Sequence, residues 1–425
     1  MRFVALIAVL CVAVLLPSCD GGGPPNLLLI TVDTLRPDRV GYHGHSRPTS
    51  PNIDRLAGEG VRFTNAYSQS GWTLPSVATI LTGHYPKDHG ATDFHWSIDM
   101  SLPTLASILR RNGYETHGYV SHVMLTPTYG IGDGFSHYDY TVLNDGHPHD
   151  IETSNKLTDL ALRGARGLQE PWFVWVHYFD PHFEYLSHPA FAEWGASDLD
   201  RYDGEIAHTD HHIGRLLNAL DGKNTVVVFT SDHGEEFGEH GGKYHYTLFD
   251  EVMRAPLVIK APGLTPAQSN ALVDQVDLLP TMLSLLGVDA PDALPGRVLV
   301  APDGAGPPEN KPLFIERDRP PPWRQQGVIV GNHKLFVVEA IDINDIPPGS
   351  RGTEVPVEHI EPGIFLYDLA ADPGETRNLY DETNAKALEL LGMVHQHFAV
   401  RKYSETSVEL DPELIKKLKS LGYIR

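Results

Sequence analysis

Short apolar, β-rich segments alternate with helical patterns along most of this 425-residue chain. Leu27–Val32, Trp172–Tyr178 and Thr225–Thr230 predict buried strands, and Thr104–Arg111 and Asp203–Leu220 predict helices between them. Such alternation is typical of α/β proteins with a largely parallel sheet. Because the chain is longer than one core usually requires, we expect one large domain and a smaller one.

The C-terminal part has a different pattern. Ala301–Lys311 is rich in Asp, Pro and Gly and predicts a domain boundary. Leu313–Glu316, Gly327–Val330 and His333–Val338 then predict a small antiparallel sheet, and Pro412 favours the first turn of a last helix. The predicted division is a signal peptide (1–18), a lipid anchor and linker (19–25), a main domain (26–300), an α+β subdomain (312–400) and a tail with a helix (401–425).

The first residues predict export. Arg2 precedes the apolar run Phe3–Leu16, which is too short to cross a bilayer comfortably and is typical of a signal peptide. The run ends in the letters LPSC, which resemble a bacterial lipoprotein signal cut before Cys19, so that Cys19 carries the lipid. We therefore expect an exported lipoprotein of the bacterial cell envelope, on the periplasmic or extracellular face. Secretion without a lipid is the alternative.

Charge and cysteine content exclude several function classes. The formal net charge of −22 argues against a nucleic-acid partner, whose phosphates need basic patches. The two cysteines are Cys11, inside the predicted signal peptide, and Cys19. The mature domain would therefore have no disulfide, zinc–thiolate site or catalytic thiol.

Polar residues with metal-binding chemistry follow two of the predicted strands. Asp33 ends the first strand, and Asp232 and His233 end the strand that begins at Thr225. Ligands of open α/β sheets bind at such strand ends. A metal would remove the cost of burying an unpaired Asp33 carboxylate, although a capping Asp that starts a turn is the alternative. Asp232 and His233 can reach one metal because a tight turn breaks the side alternation of a strand.

Thr73 lies at or just before the start of a short helix that Pro75 and Gly83 bracket. The backbone N–H groups and the dipole of a helix start favour an alkoxide or a bound anion. The alternative is that Thr73 only caps the helix.

Two further residues, His245 and Asp210, each have more than one interpretation. His245 lies in a glycine-rich loop suited to close over a ligand, and Asp210, in an apolar helix stripe, is a site residue or an internal salt-bridge or helix-cap partner.

Together these segments resemble the sulfatase branch of the alkaline phosphatase superfamily, over nearly the whole exported part. The motifs that carry the resemblance are Thr31-Val32-Asp33-Thr34, Arg47 to Leu56, the Thr73 segment with Leu81-Thr82-Gly83, His89-Gly90, Asp180-Pro181-His182, Ser231 to Glu236, Arg254 to Leu257, Leu366 to Leu369 and Asp372 to Glu375. The resemblance implies an alkaline-phosphatase-like mixed, largely parallel sheet flanked by helices, plus the small antiparallel subdomain. It also makes 26–300 the catalytic domain.

The resemblance implies roles for individual residues. Asp33, Thr73, Asp232 and His233 would bind a divalent metal, with Thr73 as the nucleophile. His182 and His245 fall where family members place groups that contact the anionic ester or hold a second metal, and we expect both to be catalytic. The residues that could serve a second metal or the substrate are Asp180, His182, Asp210, Lys243 and His245.

The sequence departs from sulfatases at two positions. Sulfatases convert a Cys or Ser to formylglycine and support it with an Arg four residues on, whereas this chain has Thr73 and Val77. Threonine is the nucleophile in superfamily relatives that cleave or transfer phosphoryl groups, such as nucleotide pyrophosphatases. Thr34 stands where calcium-binding sulfatases have a second Asp, and His233 where many have Asn. These exchanges favour Zn²⁺ or Mn²⁺ over Ca²⁺, as one or two ions.

We therefore expect a metal-dependent hydrolase or transferase that acts on phosphate or sulfate esters through a covalent Thr73 intermediate, with phosphoesters favoured. Its partners would be an anionic ester (a small molecule, lipid head group or glycan) and a membrane, reached through the lipid anchor. A true sulfuric ester hydrolase that uses unmodified Thr73 is one alternative. A lipid-anchored binding protein without turnover is the other.

Overall fold

Two larger β-sheets organise the chain in the computed structural model. The structure describes residues 23–144, 151–191, 194–304, 306, 310–317, 323–340, 360–400, 406–408, 410 and 412–420. The predicted signal peptide and the predicted lipid site at Cys19 lie outside the described residues.

The strands, in chain order, are β1 (Asn26–Val32), β2 (Val61–Tyr67), β3 (Glu115–Val120), β4 (His137–Asp139), β5 (Trp172–Tyr178), β6 (Thr225–Ser231), β7 (Glu236–Phe237), β8 (Lys243–Tyr244), β9 (Arg254–Lys260), β10 (Ala267–Asp274), β11 (Leu313–Arg317), β12 (Trp323–Val330), β13 (His333–Ala340) and β14 (Gly363–Asp368). The α-helices are α1 (Pro51–Glu59), α2 (Thr73–Thr82), α3 (Pro86–His89), α4 (Leu105–Arg111), α5 (Ser154–Gly164), α6 (Asp198–Leu220), α7 (Asp250–Met253), α8 (Leu278–Leu286), α9 (Ala385–Phe398) and α10 (Pro412–Ser420).

The main sheet has the strand order β10-β2-β9-β6-β1-β5-β3-β4. Among its described strands, β9 pairs antiparallel with both of its neighbours, and the other pairings are parallel. The predicted mixed, largely parallel sheet is therefore confirmed. Because β1, β3, β5 and β6 run in the same direction, their carboxyl ends meet at one edge of the sheet.

Both faces of this sheet are covered by helices, as the apolar composition of its central strands requires. Leu27 and Leu29 of β1 pack into a core that includes apolar residues of α2, α4, α8 and α10. Leu28 and Ile30 face the opposite way and pack with residues of α1, α5 and α6. Each such fully buried leucine or isoleucine contributes about 1.5–3 kcal/mol. Because β1 lies inside the sheet and is buried on both faces, Asp33, which follows it, is held in place at the edge of the sheet.

The smaller sheet is antiparallel, in the order β11-β12-β13-β14. One face packs on α9 through Ala387, Leu390 and Val394. The other face shares a core with Leu248 and Phe249, which precede and begin the turn into α7. The small antiparallel sheet predicted from the sequence is therefore confirmed, with longer strands than predicted.

The long helix α6 begins at Asp198, five residues before the predicted start at Asp203. Ser197 and Asp200 form a capping box, in which each side chain bonds the backbone N–H of the other residue. The capping box starts the helix at Asp198 even though its first turn has few apolar residues. None of the described helices is both long and apolar enough to cross a lipid bilayer.

Candidate active site

The carboxyl ends of four neighbouring strands bring polar side chains to one edge of the main sheet. Asp33 follows β1, Asp232 and His233 follow β6, His177 is the last residue but one of β5, and His122 lies just beyond β3. All five residues are fully buried. The sheet direction therefore concentrates titratable groups in one place inside the protein.

The four residues expected to bind the metal lie together. Nε2 of His233 is 3.7 Å from Oδ1 of Asp33, 3.6 Å from Oδ2 of Asp232 and 3.4 Å from Oγ1 of Thr73. Two ligands of a tetrahedral ion with bonds near 2.0–2.1 Å are separated by about 3.3 Å. The spacing of these atoms is thus close to that of ligands converging on a shared ion.

The surroundings of the Asp33 and Asp232 carboxylates show whether a cation would fit between these residues. Neither carboxylate oxygen of Asp33 accepts a hydrogen bond of normal geometry, and the same holds for Oδ2 of Asp232. Burial, followed by the negative charges of Asp232 and then Glu235, holds the pKa of Asp33 well above its ordinary range. Buried carboxylates of this kind are costly unless they are paired or coordinate a metal. The residues present therefore fit a divalent ion.

Two histidines have the orientation of metal ligands. Nδ1 of His233 lies 2.9 Å from the carbonyl oxygen of Gly234, and Nδ1 of His177 lies 2.8 Å from Oγ1 of Thr31. When Nδ1–H donates to these partners, the Nε2 lone pair points into the cluster. Nε2 of His177 is 3.6 Å from Oδ2 of Asp33. His177 therefore adds a possible ligand that the sequence analysis did not assign.

His122 has the opposite orientation. Its Nδ1 accepts a hydrogen bond from the backbone N–H of Met124, so the neutral ring carries its proton on Nε2. That Nε2 lies 3.6 Å from Oδ2 of Asp33. His122 is thus a proton donor at the edge of the cluster. The sequence analysis missed it as well as His177, because the proximity of both residues to Asp33 depends on the pairing of β5 with β1 and with β3.

Thr73 is the first residue of α2, and Trp72, not Thr73, occupies the N-cap position. The turn before it is held by Ser76, whose hydroxyl donates to the carbonyl of Ser70 at 2.6 Å. A Cβ on Gly71 would lie 2.5 Å from Cγ1 of Val252, so only glycine fits this close approach. The hydroxyl of Thr73 is therefore presented beside His233 by the backbone of a helix start.

His182 and His245 face each other across the site, with ring centroids 5.4 Å apart. The His245 ring is also 4.7 Å from the His233 ring. Nδ1 of His182 lies 2.6 Å from the carbonyl oxygen of Phe183, and Nδ1 of His245 lies 3.3 Å from Oε1 of Glu235. Both rings are thus positioned through Nδ1, with Nε2 as the nitrogen that can meet a substrate.

Three other residues that were predicted to serve a second metal or the substrate lie apart from His182 and His245. Lys243 has a side chain that is 63% exposed and pairs with Asp198 at 3.2 Å, so it lies outside the cluster. Asp210 accepts hydrogen bonds from the backbone N–H groups of Asn52 and Ile53 at the start of α1, which matches the helix-cap interpretation. Asp180 lies in a different group of titratable residues. The structure therefore does not bring these three residues together with His182 and His245.

Thr34 has an uncommon backbone conformation next to Asp33. Its φ of 51° lies in the left-handed region, which is rare for a β-branched residue and costs on the order of 1–3 kcal/mol. The Thr34 N–H donates to Oδ1 of Asp232 at 3.2 Å, and its carbonyl accepts from the Tyr202 hydroxyl at 2.6 Å. These bonds hold the turn that directs Asp33 toward His233.

A mixed sheet with carboxylates and imidazoles at its strand ends, facing a hydroxyl at a helix start, defines an alkaline-phosphatase-like α/β protein. The sulfatase family model matches residues 25–288, which is more than half of the chain. The chain belongs to the sulfatase family, a class of ester hydrolases.

Known proteins of this family align with most of the chain. An ulvan-active sulfatase of Formosa agariphila is 26% identical over 460 residues, which cover 94% of this chain and 82% of the relative. A structure solved with its substrate D-glucosamine-2-N,6-O-disulfate has a TM-score of 0.72 at 21% identity, covering 88% of this chain and 98% of the other. The phosphonate monoester hydrolase of Agrobacterium radiobacter has a TM-score of 0.70 at 23% identity, covering 88% and 95%. At these identities the two structures show the shared fold.

Proposed function

We propose that this protein is a metal-dependent ester hydrolase or group transferase that uses the unmodified hydroxyl of Thr73 as its nucleophile, with phosphoesters as the favoured substrates. The observation that carries the proposal is the convergence of Thr73 Oγ1 and the buried Asp33 and Asp232 carboxylates around Nε2 of His233. Packing alone does not explain this convergence, since it leaves oxygens of the buried Asp33 and Asp232 carboxylates without a hydrogen bond of normal geometry.

Asp33, Asp232 and His233 would hold the ion, with Thr73 and His177 beside it. A divalent ion there would polarise the Thr73 hydroxyl and lower its pKa, which makes it a competent nucleophile at neutral pH. A donor set of two carboxylates and one or two imidazoles favours Zn²⁺ or Mn²⁺ over Ca²⁺, which prefers six to eight oxygen ligands.

The reaction would proceed in two displacements. First, the Thr73 hydroxyl loses its proton to solvent, a bond forms between Oγ1 of Thr73 and phosphorus, the bond from phosphorus to the leaving oxygen breaks, and His245 or His182 donates a proton to that oxygen. Next, the oxygen of water or of a second alcohol attacks the phosphorus, the bond to Thr73 breaks, the proton of the incoming group returns to the same histidine, and Oγ1 of Thr73 takes a proton back from solvent. Water gives hydrolysis, and an alcohol gives transfer.

Two observations favour phosphoesters over sulfate esters. The family mechanism for sulfate esters uses formylglycine, which is an aldehyde. Oxidation of Thr73 would give a ketone instead. A phosphoryl group also brings more negative charge than a sulfuryl group, and His182 and His245 are buried where they can offset it. Sulfuric ester hydrolysis by unmodified Thr73 stays as the second candidate, because the ulvan-active relative is named as a sulfatase.

His245 provides the test of this preference. Exchange His245→Ala should lower turnover by about two orders of magnitude, the size expected for losing one transition-state electrostatic partner. The loss should be larger for an aryl phosphate than for the aryl sulfate with the same leaving group. The measurement is kcat/KM for both esters with metal-loaded protein.

Lys243→Ala is the matched control from the same hairpin, because Lys243 is exposed and pairs with Asp198; it should stay within a few-fold of the parent. An equal loss on both esters in His245→Ala would mean that His245 only positions the loop. A preserved phosphate rate with a collapsed sulfate rate would reverse the substrate preference.

We also propose that the protein is exported and held at a membrane of the bacterial envelope through a lipid on Cys19, facing the periplasm or the exterior. The support is the apolar run Phe3–Leu16, which ends shortly before Cys19, and the glycine- and proline-rich linker after that cysteine. Exchange Cys19→Ser should move the full-length protein from the membrane fraction to the soluble fraction. Unchanged membrane association would exclude the lipid anchor.

A further inference from the structure

A second group of histidines and carboxylates lies outside the cluster of Asp33, Thr73, Asp232 and His233, which we call the Thr73 cluster. Helix α6 contributes Glu205 and His208, which are three residues apart and therefore share a helix face. The segment after β5 contributes Asp180 and His188, and Glu152 precedes α5. The Glu152 side chain is 46% exposed, whereas the other four are at most 5% exposed. Four of the five residues are thus buried together without a role in the proposed chemistry.

The ligand atoms of this group converge. Nε2 of His188 is 2.9 Å from Oε2 of Glu205, and Nδ1 of His208 is 3.8 Å from Oδ2 of Asp180. Asp180, Glu205 and His208 each offer a ligand atom within 4.8 Å of the other two. Glu152, His188 and His208 form an overlapping triad with the same property. His208 therefore belongs to both triads, and its ring is central to the group.

Hydrogen bonds do not account for Nδ1 of His208. This nitrogen is buried without a hydrogen bond of normal geometry, whereas the two ring nitrogens of His188 lie 3.2 Å from Oε1 of Glu152 and 2.9 Å from Oε2 of Glu205. The two imidazoles stack in parallel with centroids 4.1 Å apart, so their in-plane lone pairs cannot meet at one ion and only one of the two rings can be a ligand. His208, whose Nδ1 faces Oδ2 of Asp180 at 3.8 Å, is that ring.

We infer that Asp180, Glu205 and His208 form a second divalent transition-metal site, which we call the α6 site, with His188 as the residue that orients Glu205. It is distinct from the proposed ion at Thr73 and does not depend on the proposed reaction. Two carboxylates and one imidazole, with a fourth position for water, are a donor set that Zn²⁺ accepts in tetrahedral sites, whereas Ca²⁺ and Mg²⁺ prefer oxygen ligands only.

The proposed ligands are already oriented by other bonds. Oδ2 of Asp180 accepts from the backbone N–H of Ser154 at 2.8 Å, and Oε1 of Glu205 accepts from the backbone N–H of Leu186 at 2.6 Å. Such outer hydrogen bonds fix the orientation of ligands in natural metal sites. A cavity of about 430 Å³ that is lined by Leu186, His188, Trp194 and Gly204 offers an ion a route of entry.

An ion pair between His188 and Glu205 is the competing explanation. It would satisfy one nitrogen of His188 and Oε2 of Glu205. It would leave Nδ1 of His208 facing Asp180 without a hydrogen bond. An ion bound by Asp180, Glu205 and His208 accounts for this nitrogen as well. The two explanations differ in metal content, which can be measured directly.

The α6 site would connect α6 and α5 to the segment that presents His182. Asp180 lies two residues before His182, whose ring turns toward His245 in the Thr73 cluster. An ion on Asp180 would therefore fix the base of this segment. His208→Ala should accordingly affect metal content and stability first, with activity following only through the position of His182.

The test counts bound ions. Full-length protein stripped with a chelator, reloaded with Zn²⁺ and passed over gel filtration should contain two ions per chain by elemental analysis. The double exchange Glu205→Gln/His208→Ala should contain one. His211→Ala, an exposed neighbour on the same helix, is the matched control and should keep both. Unchanged zinc in the double variant, or one ion in the parent that is fully lost in Asp33→Ala/His233→Ala, would overturn the α6 site.

A second measurement covers the case in which the double variant folds poorly. In the Asp33→Ala/His233→Ala variant, which keeps the α6 residues, Zn²⁺ at 100-fold over its Kd should still raise the Tm by about 3 °C. No zinc-dependent shift in that variant would contradict the α6 site. The proposed function fails on a different readout, because it requires ester turnover and makes no claim on this second ion.

Discussion

Thr73→Ala is expected to abolish turnover, by at least about three orders of magnitude in kcat, while the fold and the metal content remain. Removal of the nucleophile from a covalent mechanism has effects of this size or larger. One hydroxyl at a helix start contributes only about 1 kcal/mol to stability, so the Tm should change by a few degrees at most. The measurements are kcat with an aryl phosphate, the Tm and the metal content.

Thr82→Ala is the matched control, since Thr82 is the last residue of the same helix and its hydroxyl donates to the carbonyl of Ala78 and accepts from the backbone N–H of His84. It should retain the activity of the parent. Activity of Thr73→Ala within a few-fold of the parent would exclude Thr73 as the nucleophile. Mass spectrometry of the parent should show unmodified threonine at position 73, and a mass change there would reopen the formylglycine mechanism.

The double exchange Asp33→Ala/His233→Ala should remove the ion beside Thr73 and with it the activity. These residues supply two of the four expected ligands, and loss of outer-shell partners alone weakens metal sites by about 10–100-fold, so the loss of affinity should exceed about 100-fold. Elemental analysis after gel filtration should show one ion fewer per chain than in the parent.

Asp210→Asn is the matched control for this exchange, because Asp210 is a buried carboxylate that binds the start of α1 and not the cluster. Its metal content should equal that of the parent. If Asp33→Ala/His233→Ala bound as much metal as the parent and kept its activity, the assignment of these residues as ligands would be wrong.

The sequence predicts the centre of the site because the relevant signals are local. Asp33 and Asp232 each end an apolar strand, and strands of this kind run parallel with their carboxyl ends at one edge. The residues that bracket Thr73 also act locally, since Gly83 ends α2 in a left-handed conformation, as its position in the sequence suggests. Local patterns of this kind determine which strand or helix presents a side chain.

The remaining features depend on contacts between distant segments. His177 lies in an apolar strand, and its proximity to Asp33 follows only from the pairing of β5 with β1. Lys243 and His245 are two residues apart, yet the hairpin directs one to solvent and the other into the site. The α6 site combines residues from Asp180 to His208, which no short motif connects. The start of α6 was missed for a different reason, because its capping box was not recognised in the sequence.

The central claim is that this sulfatase-family chain turns over phosphoesters with unmodified Thr73 and a divalent metal. The most direct measurement compares kcat/KM of Zn²⁺- or Mn²⁺-loaded protein for an aryl phosphate, an aryl phosphodiester and an aryl sulfate with one common leaving group. We predict metal-dependent turnover that is abolished by a chelator and is higher for a phosphoester than for the sulfate. Turnover of the sulfate alone would contradict the substrate assignment, and no turnover of any ester with either metal would support a binding protein instead.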